Sequence, residues 1–282
     1  MKQVAVVGAG TMGNGIAHVF AQYGWQTALI DVSEDQLVRG IATIEKNTER
    51  QVKKGALTAD EKRGLIGRIT THGSLDAANK ADLVVEAATE NPAIKFKIFS
   101  DLDRVAKPEA ILASNTSSIS ITDIAAHTGR RGQVIGMHFM NPVPVMKLVE
   151  VIRGKETSSG TVKKTVEIVQ QLEKTPVEVN DAPGFVSNRV LMPMINEAIF
   201  CVQDGIATAE GVDEVMKLGM NHPIGPLALA DLIGLDVCLA IMEVLQKGLE
   251  EQKYRPAPLL KSMVAEGRLG RKSGRGFYVY RD

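Results

Sequence analysis

The chain reads as α/β, a doubly wound, mostly parallel sheet followed by an all-helical C-terminal domain. Three observations predict this. Short β-branched runs alternate with longer amphipathic stretches over roughly the first 180 residues, a glycine-rich turn joins the first run to the first amphipathic stretch, and beyond "VNDAPGF" the texture turns long and helical.

The extended runs, in order, are "VAVVG", "TALID", "ITTH", "LVVEAA", "ILAS", "QVIGMH", "LVEVI" and "VEV". Most are separated by stretches long enough for a crossover helix, which implies a parallel sheet covered on both faces. The boundary falls near Ala182, giving a first domain over 1–182 and a helical one over 183–282. In the second, Phe185, Asn188, Met192, Ile195, Ile199 and Val202 share one helical stripe. Pro193 lies inside that pattern and predicts a kink. Gly205, Gly219 and the "HPIGP" turn stop later helices, and only "GFYVY" near the end looks extended.

Composition narrows the function. At 282 residues with 44% hydrophobic content, the chain suits two domains around a cleft better than one large domain. Thirty-three basic residues balance thirty-three acidic ones, so charge points to neither nucleic acid nor an anionic membrane as partner. No apolar run reaches the roughly 18 residues a membrane span needs. Cys201 and Cys238 lack metal-ligand spacing and read as reduced core residues of a cytoplasmic protein. No metal site is expected, and the N-terminus is unlike a signal peptide.

"VAVVGAGTMGNGIAHVF" is strand, turn, helix. Gly8, Gly10 and Gly13 form G-x-G-x-x-G: a tight turn, a close approach to pyrophosphate, and close helix–strand packing. Thr11 and Met12 complete the turn, whose helix directs its N–H groups at the phosphates. A glycine turn that only packs is the bland alternative. Against it, "TALID" follows as a second strand ending in Asp31, eighteen residues after Gly13. A carboxylate there accepts from the ribose hydroxyls and repels a 2′-phosphate, so the domain is Rossmann-type and the expected cofactor is NAD.

Two further stretches fall at the carboxyl ends of strands, where ligands of such sheets bind. "SNTSSIS", residues 114–120, holds more polar residues than helix capping needs, which leaves one or two for a ligand. His138 ends "QVIGMH", and Glu150 lies on the apolar run that follows "NPVP", whose prolines predict an irregular extended connection that steers the chain through a turn and brings both ends together. A carboxylate between Val149 and Val151 is costly unless paired, and His138 is the natural partner. Such a pair suits proton abstraction from an alcohol while its carbon loses hydride to a nicotinamide. A strand-end histidine with a surface glutamate is the alternative without chemistry. As rival bases, His18 lies on the helix after the glycine turn, His72 and His127 in polar connections, and His222 before a proline turn. His222 is the one serious competitor. Asn188, polar on an apolar stripe, either satisfies backbone or projects its amide into an interdomain cleft to hold a substrate carbonyl.

Together "GAGTMG", "VVEAATE", "SNTSSISIT", "HFMNPVPVMKLVEVI", "DAPGFVSNR", "GPLALADLIGLD" and "GRKSGRGFYVY" resemble the 3-hydroxyacyl-CoA dehydrogenase family nearly end to end. The resemblance implies His138 as catalytic base, Glu150 as its orienting partner, and Ser117 and Asn188 as substrate contacts. It implies NAD contacts at Glu90, Lys95, Ser117 and Asn141, with Asn115 a neighbouring candidate. It also implies an acyl-CoA substrate and a homodimer built through the helical domain. Lys46, Arg50 and Lys53 or Lys54 share a helical face suited to CoA phosphates, although a solvated charged face is the commoner meaning. Lys54 best resembles a CoA contact. The rival functions are a dehydrogenase of the 6-phosphogluconate type, disfavoured because no lysine occurs between Lys174 and Lys217, and a non-catalytic dinucleotide-binding protein.

Overall fold

A computed structural model describes residues 2–280. The chain divides into two compact units, the first ending at Ala182 and the second starting at Pro183.

In the first unit β1 (Gln3–Val7), β2 (Gln26–Ile30), β3 (Ile69–His72), β4 (Leu83–Glu86), β5 (Ile111–Ser114), β6 (Val134–Phe139), β7 (Leu148–Arg153) and β8 (Thr175–Asn180) form one sheet ordered β3-β2-β1-β4-β5-β6-β7-β8. Every residue of β4, β5 and β6 is buried, as expected of strands covered on both faces. The helices are α1 (Thr11–Gln22), α2 (Glu34–Lys53), α3 (Ala59–Ile66), α4 (Pro92–Val105), α5 (Ile121–Ala126) and α6 (Ser159–Gln171). Strand order reverses between β1 and β4. With right-handed crossovers, this puts α1 to α3 on one face and α4 and α5 on the other, and opens a crevice at the carboxyl ends of β1 and β4. The one change of direction lies between β6 and β7, which pair antiparallel with His138 directly opposite Glu150.

The link between β6 and β7 makes the turn the prolines predict, in a tighter form than an irregular extended connection. It is a compact turn, in which the Pro142 carbonyl accepts the N–H groups of Val145 (2.9 Å) and Met146 (3.0 Å). Proline's fixed φ suits a turn as well as an extended chain, and here the turn prevails.

The second unit holds α7 (Ser187–Gln203), α8 (Ala209–Glu214), α9 (Pro226–Ile233), α10 (Leu235–Leu249) and α11 (Pro258–Ala265). Met192, Ile195 and Ile199 of α7 are buried in its core with Leu235, Met242 and Leu260. Phe185 precedes the helix, with φ 49°, and Pro193 sits inside α7 without ending it. Asp213, 3% exposed, accepts the N–H groups of Leu227 (2.8 Å) and Ala228 (2.9 Å) at the start of α9 and the Tyr278 hydroxyl (2.7 Å). Among the described residues "GFYVY" makes a single isolated bridge, Val279 to Arg275, in place of a strand. Its donors go instead to buried Asp231, which accepts from Phe277 N–H (3.0 Å), Tyr278 N–H (2.9 Å) and the Tyr280 hydroxyl (3.0 Å). A side chain at Gly276 would put Cβ 1.9 Å from an Asp231 oxygen, so the glycine of "GFYVY" is a packing requirement.

Candidate active site

Each glycine of the turn after β1 has its own reason. Gly8 has φ 99°, and a Cβ there would lie 2.6 Å from the Ala87 carbonyl in the loop after β4. At Gly13 a Cβ would meet the Gly8 carbonyl at 1.7 Å, so α1 and the turn interlock there. Gly10 is different: its φ of −63° suits any residue, and a Cβ would meet nothing within 4 Å. Among the described residues no side chain caps α1. The space beside Gly10 and the uncapped N–H groups of Thr11, Met12 and Gly13 fit a pyrophosphate. Asp31 is held by the N–H groups of Ala9 (2.8 Å) and Ser33 (2.9 Å), one on each carboxylate oxygen, and each oxygen keeps a lone pair for a ribose hydroxyl.

These geometries separate two substitutions. Gly10→Ala is expected to fold and melt as the wild type yet to weaken NADH binding by about tenfold or more, because its methyl occupies the phosphate's approach. Gly13→Ala is expected to lose about 1–3 kcal/mol of stability through overpacking. Thermal melts and NADH fluorescence titration check both.

The loops after β4 and β5 are organised by two carboxylates. Glu86, fully buried, ion-pairs with Lys95 of α4, which is 1% exposed. It also accepts the Ser114 hydroxyl (2.8 Å) and the Ala88 N–H (2.9 Å). Glu90 accepts from the Thr116 hydroxyl (2.7 Å), the Ser117 N–H (3.1 Å) and the Ser118 hydroxyl (2.8 Å), and so gathers the serine-rich loop. Asn115 accepts the N–H of Phe139 through its side-chain oxygen (2.9 Å), tying that loop to the residue after His138. Ser120 caps α5, the bland role foreseen for part of the cluster. The Lys95 ammonium is turned inward to Glu86.

His138 and Glu150 are 8% and 2% exposed, and imidazole Nδ1 lies 2.8 Å from Glu150 Oε2. Directly opposed residues of an antiparallel pair present their side chains to the same face, so register brings the two together. An ionised carboxylate only accepts, which places the proton on Nδ1 and the basic lone pair of the neutral ring on Nε2.

Of the remaining sequence-predicted residues, Ser117 is half-buried on the loop after β5, and Asn141 is exposed on the turn after β6. Lys54 is exposed at the C-terminal end of α2. Asn188, 8% exposed near the start of α7, belongs to the second unit. His18 is fully buried on α1, and burial depresses its pKa. His72 ends β3 rather than standing in a connection, with Nε2 2.9 Å from the Thr70 hydroxyl. His127 follows α5 and stacks on Phe96 at 4.1 Å between ring centroids. Sequence reasoning missed Glu86. The signal was there: a lone acid closing an apolar strand, with a lysine nine residues on.

A doubly wound sheet with this turn, this acid after β2 and a histidine–carboxylate pair at the strand ends defines an NAD-dependent oxidoreductase. Residues 3–182 match the family model for the NAD binding domain of 3-hydroxyacyl-CoA dehydrogenase, and residues 184–280 match that family's C-terminal domain. The chain is 56% identical over 282 residues to a probable 3-hydroxybutyryl-CoA dehydrogenase of Bacillus subtilis, covering 100% of this chain and 98% of that protein. It is 53% identical to a 3-hydroxybutyryl-CoA dehydrogenase of Bradyrhizobium diazoefficiens, covering 100% and 96% of the two chains. The crystal structure of (S)-3-hydroxybutyryl-CoA dehydrogenase from Ralstonia eutropha superposes with a TM-score of 0.97, at 51% identity and with complete coverage of both chains. The chain belongs to the 3-hydroxyacyl-CoA dehydrogenase family.

Proposed function

We propose that this enzyme interconverts a short-chain 3-hydroxyacyl-CoA and the 3-oxoacyl-CoA, with His138 as general base in oxidation and general acid in reduction. The observation that carries the reading is the buried 2.8 Å contact between His138 and Glu150 at the carboxyl end of β6. Bound NAD supplies the hydride acceptor, and NADH the donor. His138 Nε2 takes the hydroxyl proton as the substrate's C3–H bond breaks. Glu150, fixed on Nδ1, holds the ring's tautomer and stabilises the imidazolium that forms. Ser117 and Asn188 are assigned the reacting oxygen on the family resemblance, and Lys54 a phosphate of the CoA tail. Glu90 acts by shaping the loop that carries Ser117, and Asn115 by fixing the strand end beside His138. Asn141 is the remaining NAD contact that the resemblance implies.

Support for the short-chain reading comes from the three relatives above, all named for 3-hydroxybutyryl-CoA. Cys201 and Cys238 are both free thiols, in keeping with a cytoplasmic enzyme. The second unit leaves Val190, Ile206, Leu218 and Met220 exposed, and this apolar surface supports a homodimer through that unit.

The test is NADH oxidation followed by absorbance with acetoacetyl-CoA and longer 3-oxoacyl-CoA substrates. The reading expects kcat/KM to be highest at the short end, and no turnover of acetoacetyl-CoA would contradict it. Asp31→Asn is expected to bring kcat/KM with NADPH up by about tenfold relative to NADH, since it removes a negative charge facing the 2′-phosphate. The ratio of the two rates measures it.

A further inference from the structure

Lys174 is a buried lysine that the reaction as described does not use. It is 7% exposed, and its ammonium donates to the carbonyls of Val143 and Met146, each at 2.6 Å. Among the described residues no carboxylate pairs with it. A buried ammonium without a counter-charge is costly, and carbonyl dipoles are here its only compensation.

Both carbonyls belong to the turn that carries the chain from His138 to Glu150. Its N–H groups at Val145 and Met146 donate to Pro142, while its Val143 and Met146 carbonyls accept from Lys174. The lysine is itself fixed: Glu173 ends α6 in a left-handed conformation (φ 52°), and the Lys174 N–H bonds the Val169 carbonyl at 3.2 Å. Thr175 then donates to the Lys147 carbonyl at 2.8 Å, locking the start of β8 to the turn. On its other side the turn abuts the glycine-turn helix, where a Cβ at Gly15 would lie 2.9 Å from Val143 Cβ. Helix α1, the turn and Lys174 form one stack.

We propose that Lys174 is a positioning residue: by clamping the Val143 and Met146 carbonyls it fixes the turn between His138 and Glu150 against helix α1, and so sets the imidazole relative to the dinucleotide turn. The inference rests on His138 as the base. The titratable groups that face Lys174 are Lys147 from the turn and His18 from α1. Burial, with the Lys147 charge beside it, brings the Lys174 pKa down to about 8. The clamp is therefore charged below that pH and neutral above it. Charge-assisted bonds are about twice as strong as neutral ones, so the clamp weakens as pH rises.

The experiment compares wild type, Lys174→Met, Lys174→Gln, Lys174→Arg and His138→Gln in acetoacetyl-CoA reduction from neutral pH to about pH 10. Peptide-level hydrogen exchange over residues 140–147 is measured in the same proteins. Lys174→Met is expected to lower kcat about tenfold with KM for NADH within about twofold, and to speed exchange in the turn alone. Lys174→Gln serves in its place should the methionine variant not fold. Lys174→Arg is expected to restore most of kcat, and its protection factors in the turn are expected to stay level where those of wild type fall near the lysine's pKa. Wild-type kcat with unchanged exchange in Lys174→Met or Lys174→Gln would overturn the inference, as would the same alkaline loss of protection in the turn of Lys174→Arg. A fully active His138→Gln would instead refute the base assignment, whatever the lysine variants do.

Discussion

His138→Gln is expected to lower kcat for acetoacetyl-CoA reduction by about two to four decades, the span a general acid–base residue contributes. That corresponds to about 3–5 kcal/mol of transition-state stabilisation. Glutamine is close in size, and its amide can still donate to Glu150, so the pocket and the strand register survive. What disappears is the group that exchanges a proton with the substrate oxygen. KM for NADH is therefore expected to stay within about threefold, as it should when an interaction made only in the transition state is removed. Circular dichroism and NADH titration establish that the variant is folded and binds. An unchanged kcat would move the base elsewhere, and His222 would be the next residue to replace.

The second large effect lies in the buried pair that supports the site. Glu86→Gln leaves the Lys95 ammonium, 1% exposed, without its counter-charge in the core of the first unit. Breaking one partner of a buried pair costs about 3–5 kcal/mol. For a domain of this size each kcal/mol moves Tm by about 2–4 °C, so a fall of roughly 6–20 °C is expected. NADH binding should weaken too, because Glu86 also holds Ser114 and the Ala88 N–H at the switch point of the sheet. The double variant Glu86→Gln with Lys95→Met removes the stranded charge and is expected to recover most of the stability. Calorimetry of the three proteins decides. A Glu86→Gln melt equal to wild type would show that the pair does not hold the fold.

The parts of the fold and site that could be read from sequence are those whose cause is local. Gly8 and Gly13 are constrained by the turn they make, and the acid after β2 by its place in the strand. The pairing of His138 with Glu150 was legible because a lone carboxylate between valines needs a partner, and an odd direction reversal in the sheet supplies it. Lys95 was not legible as the partner of Glu86. Its charge reads equally well as a surface contact, and only the packing of α4 on the sheet turns it inward. Lys174 was hidden for a different reason, since its partners are backbone carbonyls, which leave no mark in the residue types. The turn at "NPVP" was legible in its two prolines, but its compact form was not, because the same fixed φ serves an extended chain. "GFYVY" has the composition of a strand, but Asp231 takes the donors that a neighbouring strand would need.

The most direct measurement of the central claim is a double-mutant cycle on kcat with His138→Gln, Glu150→Gln and the two combined. If the carboxylate acts only through the imidazole, the combined variant should be no slower than His138→Gln alone, within about threefold, although Glu150→Gln by itself is slow. Losses that multiply across the two sites would mean that the residues act independently, and the account of a single proton-transfer unit would be wrong.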